Sequence, residues 1–279
     1  GEAGAGKSHL AAAAAQVAAD QGFTVLFGAC QSTGQQPHAA LGEPLGVLLG
    51  LAPLRREPPA AQIEHLRAAL AAIEPAWLVR LPLLGDLLGL PIPDNATTAA
   101  FDPRLRREAL ANLVVGLLQH AARSRPLLLL LEDIHWLDEA DQTLVLALSR
   151  ALTDVPLLLL LVHRPATRDD ATFLGELAQI EPQTHLALTE LSAAAVAALV
   201  SQRLHGPIEP LVGELVYAQT QGNPFFAEEL VDALHESGRL VNEGGEWRAA
   251  PALVQALHER NSLDRADTSD TAPRTASEG

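Results

Sequence analysis

The sequence predicts an α/β fold in which helices cover both faces of a mostly parallel sheet, a three-layer αβα arrangement. Two observations carry this prediction. Short apolar runs bounded by proline, glycine or acidic residues are typical of strands that are buried on both faces. These runs alternate with segments of helical periodicity, as they do in parallel sheets with right-handed crossovers. The 279 residues are enough for one such domain and a smaller one.

The first part of the chain predicts a helix, a strand and then a mainly helical insertion. The alanine-rich segment Leu10–Asp20 favours a helix that Gly22 ends, and Phe23–Ala29 favours a buried strand. Residues 31–100 contain repeated prolines, such as Pro44, that interrupt any longer pattern. Helices are predicted in this insertion at Gln62–Ile73 and Leu81–Leu90.

The middle of the chain predicts further helices and buried strands. Apolar residues recur at helical spacing over Pro103–Arg123, and Asp138 is placed to cap a helix that runs to Leu152. Strands are predicted at Pro126–Leu131 and Pro156–Val162, with a third and shorter one at His185–Leu188. Beyond residue 191 only helices are predicted, at Ser192–Leu204, Pro210–Gln219 and Pro224–Ser237.

Composition narrows the classes of function. The formal net charge of −15 argues against a broad surface for nucleic acid or an anionic membrane, because such a surface needs clustered Lys and Arg. The single cysteine, Cys30, excludes an internal disulfide, favours a reducing, cytoplasmic compartment and is predicted to be buried. The apolar runs are far shorter than the roughly 20 residues that span a bilayer.

The chain opens with a glycine-rich motif that predicts a phosphate site. Gly1–Ser8 reads GEAGAGKS and fits G-x-x-x-x-G-K-[ST] at every position, so the loop amides can face phosphate oxygens. Lys7 is predicted to reach the β- and γ-phosphates of ATP, and the hydroxyl of Ser8 to bind Mg²⁺. The predicted nucleotide-binding residues of the loop are Gly1, Gly4, Ala5, Gly6, Lys7 and Ser8. A P-loop NTPase is therefore the predicted variant of the α/β fold.

Two carboxylates follow the second predicted strand. Glu132 and Asp133 end the apolar run Leu127–Leu131. Carboxylates at the tip of a buried strand are costly unless they hold a metal or polarise a water molecule. Beside a phosphate loop, one acid binds Mg²⁺ and the other orients the attacking water. We assign Glu132 to Mg²⁺ and Asp133 to the water, and the two roles can be exchanged.

Four segments together resemble one class of ATPase. The phosphate loop is joined by LLLLLEDIHWLDEAD (127–141), LLLLLVHRP (157–165) and QGNPFFAEEL (221–230). The set is similar to STAND-class AAA+ ATPase domains of the Orc1-like type, over roughly residues 1–260. Such domains occur in bacterial LuxR-type regulators and in multidomain proteins related to adenylate and guanylate cyclases.

The resemblance implies further site residues. Arg164 matches the sensor arginine that reads the γ-phosphate, although His163 stands where many relatives have Thr or Ser. Gly222–Pro224 matches an element of a helical lid, in which Pro224 packs near adenine. A plain surface charge at Arg164 and an ordinary turn at Gly222–Pro224 stay open as alternatives. His135 and Trp136 match a family His-Trp pair and are expected to serve packing.

The resemblance also implies a domain order and a missing strand. We expect a nucleotide-binding domain over 1–191, a helical lid over 192–237, the incomplete start of a winged-helix domain over 238–260 and a disordered tail over 261–279. Relatives have a strand before the phosphate loop. The chain opens inside the motif and has no methionine, so we expect a fragment that folds poorly without that first strand.

Three functions follow from these predictions. The first is a slow ATPase that binds ATP and Mg²⁺ within a larger bacterial regulator. The second is a nucleotide-dependent switch with little turnover, and the third is a remnant without activity. The implied partners are ATP or ADP, output and sensor domains of the full protein, and a homo-oligomer, with no membrane. Direct DNA binding is the outside alternative, disfavoured by charge.

Overall fold

The computed structural model describes residues 1–30, 39–151, 155–165 and 171–255. The chain divides into two compact units. The first unit contains Lys7–Ala187 together with Gly1, and the second contains Glu2–Gly6 together with the chain from Leu188 onwards. The predicted tail at 261–279 lies outside the described residues, and the predicted domain boundaries stay predictions.

A parallel sheet of three described strands lies at the centre of the first unit. Its strands are β1 (Thr24–Ala29), β2 (Leu127–Glu132) and β3 (Leu157–Leu161), in the order β1-β2-β3. The central strand β2 is buried along Leu127–Leu131. Both pairings are parallel. The predicted α/β fold with a parallel sheet is thereby confirmed.

Helices cover the two faces of this sheet unequally. Leu26 and Leu129 belong to the main core, which also contains residues of the helical insertion and of the helices between the strands. The opposite face packs on the first helix through Ala11, Leu130 and Val162. The helices of the first unit are α1 (Lys7–Asp20), α2 (Ala39–Leu48), α3 (Pro59–Ile73), α4 (Leu81–Leu88), α5 (Pro103–Ser124), α6 (Glu139–Ala151) and α7 (Ala171–Leu177).

Helix α2 runs through a proline that was expected to break the pattern. Pro44 lies inside α2. It has no N–H to donate to the carbonyl of Ala40, four residues earlier, which is the usual cost of an internal proline. That carbonyl faces β1 closely, because a Cβ built on Gly28 would overlap the Ala40 oxygen. Burial of Leu41 and Leu45 in the main core stabilises the helix despite Pro44.

The predicted third strand at His185–Leu188 is wrong. These residues have no strand pairing in the structure, and Leu186 is 68% exposed. His185 instead stacks on His163, with ring centroids 6.2 Å apart. A four-residue apolar pattern is too short to distinguish a strand from an extended loop. Because Leu186 is exposed, this segment lacks the buried face that a strand of the predicted kind has.

We predict that Gly28→Ala lowers the melting temperature by about 5–10 °C. The new methyl group would overlap the Ala40 carbonyl, so α2 would have to move off the sheet. Thermal unfolding followed by circular dichroism measures the change. Gly175→Ala in α7 is the control, because nothing lies within 4 Å of its built Cβ and alanine favours a helix. An unchanged melting temperature for Gly28→Ala would refute the close approach.

Among its described residues, the second unit packs three helices and a hairpin around one core. Its elements are α8 (Ala193–Arg203), α9 (Pro210–Thr220), α10 (Pro224–Glu236), β4 (Leu240–Glu243) and β5 (Glu246–Ala249). The three helices match the predicted ones. Leu240 and Leu253 share a buried cluster with Val196 and Val231. The indole N–H of Trp247 donates to the carbonyl of Leu204 at 2.9 Å, which holds the hairpin on the helices.

Candidate functional site

The glycine-rich loop is curled as its motif predicts. Gly4 and Gly6 have φ of +78° and +85°, a region that favours glycine. Helix α1 begins at Lys7, directly after the second of these glycines. The Lys7 ammonium donates to the carbonyl oxygen of Gly1 at 2.9 Å. The lysine is therefore folded back over the start of the loop.

Helix α1 begins at the edge of the sheet where the strands end. It ends at Asp20, and β1 starts shortly afterwards at Thr24, so α1 runs opposite to the strands. Near its beginning, Ala11 packs with Leu130 and Val162, which lie at the carboxyl ends of β2 and β3. The first turn of α1, with Lys7 and Ser8, therefore lies at the sheet edge where β2 ends in Glu132.

The acidic pair lies on an anchored turn at this edge. Glu132 is the last residue of β2 and is half-buried. Asp133 has φ of 56° and ψ of 39°, a left-handed conformation that Asp tolerates better than most residues. The next residue, Ile134, is fully buried and its N–H donates to the carbonyl of Val162 at 3.1 Å. This anchor leaves the Asp133 side chain 46% exposed at the strand tip.

The residues after the acidic pair lead directly into α6. Asp138 accepts a hydrogen bond from the N–H of Asp141 at 2.7 Å, which confirms the predicted cap. The side chain of His135 is only 9% exposed. Trp136 is 41% exposed, and its ring centroid lies 5.0 Å from that of His135. The histidine is thus an interior residue, whereas the tryptophan borders solvent.

Cys30 lies behind this turn as a buried thiol, as predicted. Its N–H donates to the carbonyl of Glu132 at 3.0 Å. Burial raises the pKa of the Cys30 thiol to about 12, and the carboxylates of Asp141, Asp133 and Asp138 act in the same direction. The thiol therefore stays protonated at neutral pH and is not a nucleophile.

We predict that Cys30 in the folded chain reacts at least about 100-fold more slowly with a disulfide reagent at pH 8 than in urea-unfolded chain. Stability should also depend on this thiol. The unfolded thiol releases its proton first, so its contribution to the free energy of unfolding is complete below pH 9 and is lost as the pH rises towards 12. Urea titrations of wild type and Cys30→Ala at several pH values measure this difference. Equal reaction rates in the folded and unfolded chain would contradict the prediction.

Arg164 follows β3 on an exposed stretch of chain. The strand ends at Leu161, and Arg164 is exposed three residues later. His163 Nδ1 lies 2.6 Å from the carbonyl oxygen of Arg164, so the ring N–H donates to that oxygen. The His163 ring also stacks on the ring of His185, with centroids 6.2 Å apart. His163 therefore holds the backbone of Arg164 and leaves its guanidinium accessible.

In the second unit, the Gly222–Pro224 turn meets residues of the glycine-rich loop. Asn223 caps α10, since its Oδ1 accepts the N–H groups of Phe225 and Phe226. Its Nδ2 donates to the carbonyl of Ala3 at 3.0 Å. The Pro224 Cγ lies 3.9 Å from a Cβ built on Gly6. The family resemblance implies a role in the site for Pro224 but none for Asn223. An asparagine directly before a helix-opening proline is nevertheless a known capping signal.

The side chains at the sheet edge fit magnesium better than a transition metal. Ser8 and Glu132 offer hard oxygen donors, and Mg²⁺ is commonly held by one or two such side chains together with phosphates. Over the described ranges, no group of three or more His, Cys, Asp or Glu residues could hold a metal by itself. A magnesium ion held by Ser8 and Glu132 would take its remaining ligands from phosphates and water.

Comparison with known families decides the identity of this fold. A protein-family model described as AAA ATPase domain matches residues 1–162, more than half of the chain. The chain belongs to the AAA ATPase domain family. No curated protein and no solved structure matches it. As an AAA ATPase domain with a parallel sheet and flanking helices, the chain is a nucleotide-binding ATPase module with the P-loop NTPase fold.

The family match covers part of the predicted site. It includes Gly1–Ser8 and the acidic pair and ends at Val162, before Arg164 and Gly222–Pro224. AAA ATPase domains bind a nucleotide, usually with Mg²⁺.

Among the described residues, no helix has both the length and the apolar character that a membrane span requires. Lys7 is also the only lysine in the sequence, so its side chain can be labelled selectively with an amine-reactive reagent.

Proposed function

We propose that this AAA ATPase domain is an ATP-binding, slowly ATP-hydrolysing module of the STAND class and Orc1-like type, within a larger cytoplasmic regulator of bacterial signalling. The observation that carries the proposal is the shared sheet edge. The packing of Ala11 on Leu130 and Val162 supports this, because it puts the start of α1 near the edge where β2 ends. An ATPase requires this arrangement, since the phosphate tail and its metal must reach both elements.

The proposed binding roles follow from the chemistry of the loop. Gly4 and Gly6 have positive φ, which curls the loop. The loop amides then face the phosphates and form an anion-binding nest. The ammonium of Lys7 leaves the Gly1 carbonyl and donates to the β- and γ-phosphate oxygens. Gly1 and Ala5 complete the loop backbone. Pro224, near Gly6 in the second unit, packs towards the adenine.

The acidic pair divides the remaining work. Ser8 Oγ and a Glu132 carboxylate oxygen would hold Mg²⁺, which supplies charge neutralisation at the β- and γ-phosphates when bound. Asp133 accepts a hydrogen bond from the attacking water and orients it. The exposed Asp133 side chain suits this role, whereas the half-buried Glu132 suits a metal. Arg164 then donates to the γ-phosphate oxygens.

A nucleotide-dependent switch is the second candidate function. The contact of Asn223 with the Ala3 carbonyl favours it, because it ties the start of α10 to loop residues that ATP would reshape. In that case α10 transmits the nucleotide state to output and sensor domains or to a second copy. Limited proteolysis would give different fragments with ADP and with ATP, and identical fragments would argue against the switch.

Selective labelling of Lys7 tests the proposed function. An amine-reactive reagent marks Lys7 as the only lysine side chain, and peptide mass spectrometry quantifies the product. We expect Mg²⁺ with ATP to protect Lys7, and adenosine to give no protection because it lacks phosphates. Equal labelling of Lys7 with and without Mg²⁺-ATP would overturn the proposal, because it would show that ATP does not bind this loop.

A further inference from the structure

The carbonyl groups of the glycine-rich loop must be directed away from a bound phosphate. Amides bind phosphate oxygens, whereas carbonyl oxygens repel them, so a phosphate loop works only when its carbonyls face outward. In this chain two successive loop carbonyls have partners at the start of α10. The Ala3 oxygen accepts from Asn223 Nδ2 at 3.0 Å, and the Gly4 oxygen accepts from the N–H of Phe225 at 3.3 Å.

The carboxamide of Asn223 has only one orientation that satisfies its surroundings. Its Oδ1 accepts from the N–H groups of Phe225 and Phe226 at 3.1 and 3.3 Å. A flipped amide would set its oxygen against the Ala3 carbonyl and its NH₂ against two N–H donors. The helix cap therefore orients the NH₂ group towards the loop.

Steric contact brings the loop against the same side chain. A Cβ built on Gly4 would lie 2.7 Å from Asn223 Oδ1 and 3.1 Å from the Cβ of Phe225. Gly4 thus serves two requirements, its φ of +78° and the close approach of α10. The loop curvature at Ala3 and Gly4 is in this way supported from outside the loop.

We infer that Asn223 is a positioning residue, which holds the carbonyls of the phosphate loop outward so that its amides are preorganised for a polyphosphate. The inference rests on the proposed function, because it assumes that the loop binds ATP. In this inference the start of α10 contributes to phosphate binding through Asn223, separately from any contact of Pro224 with the base.

Asn223→Ser separates this role from helix capping. Serine caps a helix nearly as well as asparagine, but it has no NH₂ group and is too short to reach the Ala3 carbonyl. The full chain is titrated with Mg²⁺-ATP and with Mg²⁺-tripolyphosphate by calorimetry. We expect Asn223→Ser to weaken both ligands by about 3- to 10-fold, the effect of one hydrogen bond. Faster hydrogen exchange at residues 2–6 should accompany the loss.

Asn242→Ser is the matched control, because the Asn242 carboxamide oxygen accepts from the N–H of Gly245 within the hairpin. It should bind both ligands like wild type. If Asn223→Ser does not fold, Asn223→Gly replaces it, since glycine is also accepted as a cap.

The outcomes separate the two proposals. Wild-type affinity of Asn223→Ser for both ligands, or a loss for ATP alone, overturns the positioning role. If Lys7→Ala weakens the binding of both ligands by about 10-fold or more in the same experiment, the proposed function stands regardless of that result. If the wild-type chain binds neither ligand, the proposed function fails and the inference fails with it.

Discussion

Replacing Lys7 with alanine should raise the Kd for Mg²⁺-ATP about 10- to 100-fold, the expected effect of losing a charged hydrogen bond of roughly 1.5–3 kcal/mol. The packing of Ala11 on Leu130 and Val162 does not involve the lysine side chain, so folding should be unchanged. Phosphate release should fall to background, because the ammonium would stabilise charge that develops on the transferred phosphoryl group. Calorimetry and a phosphate-release assay measure the two effects.

Gln16→Ala is the control for this substitution. Gln16 lies on the same helix and donates only to Asp20, at an exposed position. It should leave the Kd and the rate unchanged. Equal rates for wild type and Lys7→Ala would show that the measured hydrolysis does not come from this loop.

Substitution of the acidic pair should separate metal binding from water activation. Glu132→Gln and Asp133→Asn should each reduce phosphate release by about 100-fold or more. Amides keep the size of the side chains, and asparagine tolerates the left-handed φ of 56° at position 133. The variant that has lost a metal ligand should require a higher Mg²⁺ concentration for ATP binding, and we expect this to be Glu132→Gln.

The Mg²⁺ titration also decides the open exchange of roles. If Asp133→Asn is the variant with the raised Mg²⁺ requirement, the two assignments are reversed but the site stands. Asp138→Asn is the control, since asparagine caps a helix as well as aspartate and should leave the rate unchanged. Wild-type turnover in both Glu132→Gln and Asp133→Asn would remove the pair from the mechanism.

Local sequence patterns were sufficient to locate a helix or strand where residues of that element itself determine its hydrogen bonds and burial. The strands at Phe23–Ala29 and Pro126–Leu131 and the helix at Pro103–Arg123 agree with the structure to within one or two residues at each end. The continuous leucine run at 127–131 predicted β2 correctly, because a short apolar run bounded by proline and acids is typical of a strand that is covered on both faces. The cap at Asp138 was likewise readable, since a cap involves only its own helix.

Patterns failed where the deciding partner is distant in sequence. Pro44 was expected to interrupt the local pattern, yet helix α2 runs through it because apolar side chains of α2 are buried. His185–Leu188 was expected to be a strand, yet the segment lies at the surface with Leu186 exposed. In both cases burial against another element, which local spacing does not reveal, overrode the local preference.

The sequence by itself identified the glycine-rich motif and the acidic pair as the candidate site, because each is a contiguous set of residues that a local pattern reveals. Only the tertiary structure decided that the start of α1 and the end of β2 share one sheet edge, through the packing of Ala11 on Leu130 and Val162. It likewise decided that Asn223 donates to the carbonyl of Ala3. Both depend on contacts between residues far apart in the chain, which form only when a common core brings their elements together.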